Sequence, residues 1–307
     1  MAQVRIYTSI LKKYFFINDI YNMESNIKKI HFILPGGGVR GSFQAGFIYH
    51  LKKNYSNLFE IYRIDGTSVG ALNGLALILD DPEEIKNIWY SFPNIETIFN
   101  PWTIKPLWNK FKMIYNGFFE KSLYQNDGLK NIVYQNINKT NSLLLDKYNC
   151  VVTNIYTGDY EYINGCNENI KEYIVASASP WIISPMVSIN NYMYIDGGLL
   201  QTYPITELKN STADIKLLLG YDSTHLNKLG MTGENIITYL ARLIDIIRVN
   251  QSNITKLKKY INKYNVISIE NPLDYPFLDF SVENITNGFN LGANAAEEFA
   301  QKYLLHL

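Results

Sequence analysis

The pentapeptide Gly66-Thr67-Ser68-Val69-Gly70 constrains this chain more than any other feature, because it joins two apolar runs of different kinds. Ile61 to Asp65 ahead of it reads as a buried strand, and Val69 to Leu79 after it reads as a helix. Gly70, Ala71, Gly74 and Ala76 keep that helix slim enough to lie close to a sheet. A strand that turns sharply into a helix at a serine has the form of a nucleophile elbow, in which Gly66 and Gly70 remove the steric barriers to a strained backbone.

The same organisation occurs just upstream. Ile30 to Leu34 reads as a strand that stops at Pro35, and the loop Gly36-Gly37-Gly38-Val39-Arg40-Gly41 leads into a helix. In that helix Phe43, Phe47 and Leu51 recur at four-residue spacing, with Ser42 placed to cap it. Two successive strand–loop–helix units predict an α/β fold: a three-layer α/β/α domain on a mainly parallel sheet, with functional loops at the C-terminal edge of the strands. Further along, Cys150 to Tyr156 and Tyr160 to Ile163 read as a hairpin around Thr157-Gly158-Asp159, and Ile170 to Ala178 as a short helix. Tyr192 to Ile195, Ile215 to Gly220 and Val266 to Ile269 read as strands. Asn235 to Ile261 has helical periodicity, and Ser281 is placed to cap a last helix towards Phe299. With no internal repeat and no Pro/Gly/Ser linker, a single domain is expected: a leader over 1–28, a core over 29–212, and strands and helices over 213–307 completing it.

In 307 residues, 28 basic side chains balance 28 acidic ones, so no basic field exists for nucleic acid, which is not expected as a partner. Cys150 and Cys166 lack the spacing and histidine neighbours of a zinc site and read as reduced thiols; no metal and no cofactor are expected. No apolar run approaches the ~20 residues needed to span a bilayer. The leader is basic at Arg5, Lys12 and Lys13 and apolar at Tyr14 to Phe16, but Asn18 and Asp19 break it and no small-residue cleavage site follows. A cytoplasmic protein is expected, one able to sit peripherally at membranes. Trp102, Trp108, Phe111, Phe118 and Phe119 alternate with Lys105, Lys110 and Lys112, which suits either an interfacial face or an amphipathic helix packed on the core.

A serine hydroxyl becomes a nucleophile only when one group accepts its proton and another stabilises the oxyanion. The glycine loop matches Gly-x-Gly-x-x-Gly, but no acidic residue about 20 positions on is placed for a ribose contact: Glu60 precedes the next strand, and Asp65 leads straight into the serine turn. The loop instead offers backbone N–H groups converging on one spot, as an oxyanion hole needs. Arg40 within it could hold a phosphate or stiffen the loop by pairing inside the protein. Asp196-Gly197-Gly198 is by itself a tight turn; beside Ser68, a partly desolvated Asp196 could take the serine proton directly. Of His31, His50, His225 and His306, only His225 has the chain order and loop position of a third triad member. Its polar Ser223-Thr224-His225 setting suits a surface residue.

Together these motifs resemble the patatin-like phospholipase family: a glycine-rich loop containing an arginine (Gly36, Gly37, Gly38, Val39, Arg40, Gly41), a Gly-x-Ser-x-Gly elbow (Gly66, Thr67, Ser68, Val69, Gly70), and an Asp-Gly-Gly turn (Asp196, Gly197, Gly198). Thr157-Gly158, Ala176 to Pro180 with Pro185, Tyr203-Pro204-Ile205 and Leu278 to Ser281 also look similar, so the resemblance covers roughly Lys29 to Phe299. It implies a patatin-like fold and a lipid acyl hydrolase of phospholipase A or lysophospholipase type, with Ser68 as nucleophile, Asp196 as base, the amides of Gly37 and Gly38 as oxyanion hole, and no metal. A lipid substrate and contact with a lipid surface follow; the oligomeric state stays open. Two other readings remain: an esterase or thioesterase for small soluble substrates, and an idle lipid-binding protein.

Overall fold

The computed structural model describes residues 27–91, 98–99, 122, 124–181, 183–221, 242–243, 246 and 254–305. Residues 1–26 of the leader, the aromatic segment 101–119, His225 and most of the periodic stretch Asn235 to Ile261 lie outside them. The expected strands form, as β1 (Lys28–Leu34), β2 (Phe59–Thr67), β3 (Tyr148–Asn154), β4 (Tyr160–Asn164), β6 (Tyr192–Asp196), β7 (Ile215–Tyr221) and β8 (Val266–Glu270), together with a short strand that the sequence pattern does not indicate, β5 (Val187–Ile189). The α-helices are α1 (Gly41–Tyr55), α2 (Val69–Leu77), α3 (Glu83–Tyr90), α4 (Asp127–Ile137), α5 (Ile170–Ser177), α6 (Ile254–Lys263) and α7 (Val282–Tyr303).

The strands join in one sheet along the path β5-β6-β3-β2-β1-β7-β8, with β4 also paired to β3. The β3-β2-β1-β7-β8 stretch is parallel, whereas β4 and β6 run antiparallel to β3 and β5 antiparallel to β6. β3 decides the architecture. All seven of its residues are buried. Asn149 to Thr153 pair with β4. Tyr148 to Val151 pair with β2, and Val152 to Asn154 with β6. Because β4 pairs with positions in both groups, β2 and β6 must share the opposite edge of β3. They run towards each other there and meet end to end: Thr67 sits across from Val151 and Asp196 across from Val152.

Alternation along β1 separates the two faces of the sheet. Ile30, Phe32 and Leu34 point into the larger core with Phe43, Phe47, Phe289 and Phe299 of α1 and α7. Ile33 points to a smaller cluster with Tyr203, Leu208, Leu218 and Leu257. On that second face lies a buried ionic group. Asp65 accepts hydrogen bonds from Arg63 Nε at 2.8 Å and pairs with His31 Nε2 at 2.9 Å, and His31 Nδ1 meets Ser211 Oγ at 3.0 Å. The Asp65 carboxylate is thus occupied within the fold, consistent with its exclusion as a ribose ligand.

Two local expectations are corrected. Ser42 does not cap α1: the helix already begins at Gly41, directly after a 3-10 turn at Gly38–Arg40, so Ser42 falls inside its buried first turn. The helix after Ser68 ends at Leu77 rather than Leu79, because Lys52 of α1 donates from Nζ to the carbonyls of Leu77 and Leu79 and replaces the next helical bonds. Burial lowers the Lys52 pKa to about 8 against the raising effect of Asp80 and Asp81. Ser281 does cap α7, accepting from the Asn284 amide.

The contact of α1 with α7 is the most extensive between helices, and Phe47 lies at its centre, fully buried with its ring centroid 5.5 Å from that of Phe299. Phe47→Ala leaves a cavity that a helix pair anchored to the sheet cannot collapse to fill. We expect it to destabilise the fold by about 3–5 kcal/mol, read as a lower urea midpoint with an unchanged slope.

Candidate active site

The head-on meeting of β2 and β6 brings Ser68 and Asp196 together, although 128 positions separate them in the chain. Ser68 is the first residue past β2 and adopts φ 56°, ψ −128°, a conformation that costs a non-glycine residue about 1–3 kcal/mol. Three contacts hold it. Its N–H donates to Ser177 Oγ at 3.1 Å, its carbonyl accepts from Ala71 N at 2.9 Å, and its Oγ donates to Asp196 Oδ2 at 2.6 Å. Ser177 in turn donates to Val151 O at 2.6 Å, which ties the turn to β3. At Gly70 a β-carbon would collide with the carbonyls of Leu34 and Pro35, so α2 leaves the turn pressed against the end of β1.

Asp196 is buried and well oriented. Its second oxygen, Oδ1, accepts from Gly198 N at 2.7 Å, its N–H donates to Ser179 O at 3.1 Å, and Thr153 Oγ1 donates to its carbonyl at 3.1 Å. Burial pushes its pKa up from 3.8 to about 7, against the lowering effect of the bonds from Ser68 and Gly198. Cavity, strained serine and perturbed carboxylate coincide, which is the pattern expected of a functional site.

The glycine loop lies over Ser68: a β-carbon on Gly36 would stand 3.0 Å from Ser68 Cβ. Gly38 takes φ +58° with its α-carbon against Phe277, so no side chain fits there. Most of the loop's polar backbone is committed. Gly36 N donates to Thr202 O at 3.2 Å, Val39 N to Phe277 O at 2.8 Å and Arg40 N to Gly37 O at 3.3 Å, while Arg40 O accepts from Asn271 Nδ2 at 3.0 Å. The N–H groups of Gly37 and Gly38 have no partner among the described residues, and both glycines line the cavity with Ser68 and Asp196. Of the two roles open to Arg40, burial at 1% exposure favours pairing inside the protein over reaching a phosphate in solvent.

From Ser68 the cavity runs between α2, α3 and α4 over Leu75, Leu79, Ile85, Val133 and Phe280, an almost wholly apolar wall. Trp181 also lines it and is 46% exposed. Among the described residues, no helix is long and apolar enough to cross a membrane.

All three motifs therefore reach one place, where Gly36, Gly37, Gly38, Ser68, Val69, Asp196 and Gly198 line the cavity. Ser177 belongs to a stretch that resembles the family, yet nothing in that stretch indicates its role. Asn73 and Gln44, which brace the loop, are not singled out by any motif. The one available signal is a lone polar residue in an apolar helix, as in Ala71-Leu72-Asn73-Gly74-Leu75.

Fold and site together define an α/β protein with a serine–carboxylate pair at a strand-to-helix turn. The family profile of patatin-like phospholipases matches residues 32–209, more than half of the chain, and the chain belongs to that family, whose members are lipid acyl hydrolases. No curated protein compared with the chain matches it. Among solved structures, the crystal structure of VipD from Legionella pneumophila is similar, with 13% identity and a TM-score of 0.44 over 90% of this chain and 67% of that one.

The raised pKa of Asp196 has a thermodynamic consequence. Between the unfolded value near 3.8 and the folded value of about 7, the folded chain holds a proton that the unfolded chain has lost. Stability contributed by this group is therefore present at low pH and falls as pH rises through that window, at up to about 1.4 kcal/mol per pH unit. We expect the stability difference between the native protein and Asp196→Asn, from urea unfolding at pH 4.5 to 7.5, to shift steadily in favour of the variant. A flat difference would contradict it.

Proposed function

We propose that this chain is a lipid acyl hydrolase of phospholipase A or lysophospholipase type that works through a Ser68–Asp196 dyad. The 2.6 Å hydrogen bond from Ser68 Oγ to Asp196 Oδ2 carries the reading. Ser68 Oγ attacks the ester carbonyl carbon while its proton passes to Asp196. The tetrahedral oxyanion accepts hydrogen bonds from the amides of Gly37 and Gly38. As the intermediate collapses, Asp196 returns the proton to the departing alcohol and an acyl-Ser68 ester remains. Water then attacks that ester, giving a proton to Asp196, and the collapse releases the fatty acid as Ser68 Oγ takes the proton back.

A base of pKa about 7 suits this cycle better than an ordinary carboxylate, because it holds a proton more firmly during attack and still releases it to the leaving group near neutrality. The apolar cavity supports an acyl chain as the bound portion, and exposed Trp181 at its lining suits contact with a lipid surface, where an amphipathic ring is at ease. Residues 213–307 are proposed to complete the same domain, since β7 and β8 extend the sheet from β1.

Ser68→Ala and Asp196→Asn are each expected to lower kcat on phospholipid by about 10³-fold or more, with His225→Ala keeping most of the activity. The carboxylate must be ionised to accept the serine proton, so kcat/KM should rise with pH along a limb of apparent pKa about 7. Assays on micellar and monomeric substrate test the substrate class: a rate no higher on micelles would favour a small soluble ester, and loss of activity in His225→Ala would replace the dyad by a triad.

A further inference from the structure

Both ends of the glycine loop are held by one chain of buried side chains. Gln44, in the first turns of α1, donates from Nε2 to Pro35 O at 2.8 Å, the carbonyl just before Gly36. Asn73 of α2 donates from Nδ2 to Gly41 O at 2.9 Å, at the loop's other end, and to Gln44 Oε1 at 3.0 Å. Trp89 of α3 donates its indole N–H to Asn73 Oδ1 at 3.0 Å. The three side chains are 3%, 1% and 4% exposed, so none of these groups has bulk water to fall back on.

The chemistry of the donors makes the arrangement directional. Both Asn73 amide protons go to acceptors, and its oxygen faces an N–H that can only donate. Rotating the amide would set donor against donor at Trp89 and oxygen against oxygen at Gly41 and Gln44. Asn73 therefore has one orientation, and that orientation fits only with Pro35 O and Gly41 O at their present separation. Between those carbonyls lie Gly37 and Gly38, whose amides have no other partner among the described residues. Asn73 also stands five residues beyond Ser68 on the helix that the nucleophile opens. Loop and nucleophile are thus referred to the same rigid element.

We infer that Asn73, oriented by Trp89 and extended by Gln44, is the positioning residue that aims the Gly37 and Gly38 amides at the oxyanion formed on Ser68. The inference rests on the hydrolase reading above. Asn73 lines the cavity, but its amide groups are spent on Gly41 O, Gln44 Oε1 and the Trp89 indole, so its effect on the oxyanion is exerted through the loop. Acylation and deacylation both pass through the oxyanion, so loss of aim lowers kcat whichever step limits it. Ground-state binding rests on the many apolar side chains of the cavity wall and should change little.

The test compares Asn73→Leu, Asn73→Asp and Trp89→Phe with the native full-length chain. Asn73→Leu removes every bond of the amide, Asn73→Asp keeps an acceptor for the indole but loses both donors, and Trp89→Phe keeps a ring in the cavity wall but loses the N–H. Competent sites are counted by the final extent of fluorophosphonate labelling, and kcat and KM on a p-nitrophenyl acyl ester are expressed per labelled site. Removing a direct oxyanion donor costs about 10²–10³-fold, so a misaimed loop should cost about 10–100-fold in kcat for the Asn73 variants, less for Trp89→Phe, with KM within about twofold. The labelling rate should fall in parallel. Unchanged kcat per labelled site, with only fewer sites or a lower melting point, would reduce the chain of bonds to a folding role and overturn the inference. A raised KM at constant kcat would overturn it in favour of a cavity role. If Asn73→Leu does not fold, the other two variants decide. Retained activity in Ser68→Ala would instead defeat the hydrolase reading itself.

Discussion

The edge of β3 on which β2 and β6 meet is the constraint from which the rest of the site follows. Consecutive residues of one buried strand, Val151 and Val152, hold the ends of two strands that approach from opposite directions. Each approaching strand delivers one member of the Ser68–Asp196 pair to the junction. Neither Ser68 nor Asp196 depends on a long mobile loop for its position; both are fixed by sheet register, which is specified residue by residue because a one-place slip would turn buried side chains outward. Ser177 Oγ strengthens the junction by bonding Val151 O on one side and Ser68 N on the other. A strained serine and a buried carboxylate are both costly, and a fully buried central strand is the element best able to sustain them.

The glycine loop works on a complementary principle. Its outer polar groups are each given a partner on a different element: Thr202 after β6, Phe277 and Asn271 after β8, Gln44 on α1 and Asn73 on α2. The two inner amides of Gly37 and Gly38 have no partner among the described residues. Under the proposed mechanism, a loop braced at so many points would not need to reorganise when negative charge develops beside it, and prepaid organisation of this kind is the main source of electrostatic stabilisation in enzymes. Positive φ at Gly38 and the close packing of Phe277 against its α-carbon are the covalent and steric conditions for that bracing.

Much of this was legible in the sequence because it is local. The apolar runs ending in Gly66 and Gly36, the hairpin around Gly158 and the capping serine of α7 depend on neighbours a few positions away, and all appear where the pattern puts them. Ser68, Asp196 and the glycines were legible as residue types suited to one chemistry. What the sequence could not show is strand order, and with it the reason Ser68 and Asp196 are neighbours at all. Ser42 misled because a serine ahead of an apolar period looks like a cap, while the actual helix grows out of a preceding 3-10 turn and needs none. The end of α2 was equally invisible, since the group that terminates it is Lys52, 25 residues away from Leu77 on another helix. Ser177, Asn73 and Gln44 share that character: each matters through a hydrogen bond to a distant backbone atom.

The same burial that makes Asp196 costly sets its chemistry. In water an aspartate is too weak a base to help a serine, and a fully desolvated one would hold its proton too tightly to return it. Here desolvation raises the proton affinity while Ser68 Oγ and Gly198 N–H restrain it, and the balance falls near neutrality. Under the proposed mechanism an apolar chain entering the cavity removes further water from the same carboxylate, strengthening it as a base at the moment the ester carbonyl arrives beside Ser68. Substrate binding and base strength would then be linked through solvent exclusion alone, with no moving part required. Under that mechanism the usual function of a histidine, a proton affinity near neutral pH, would be supplied by the setting of Asp196.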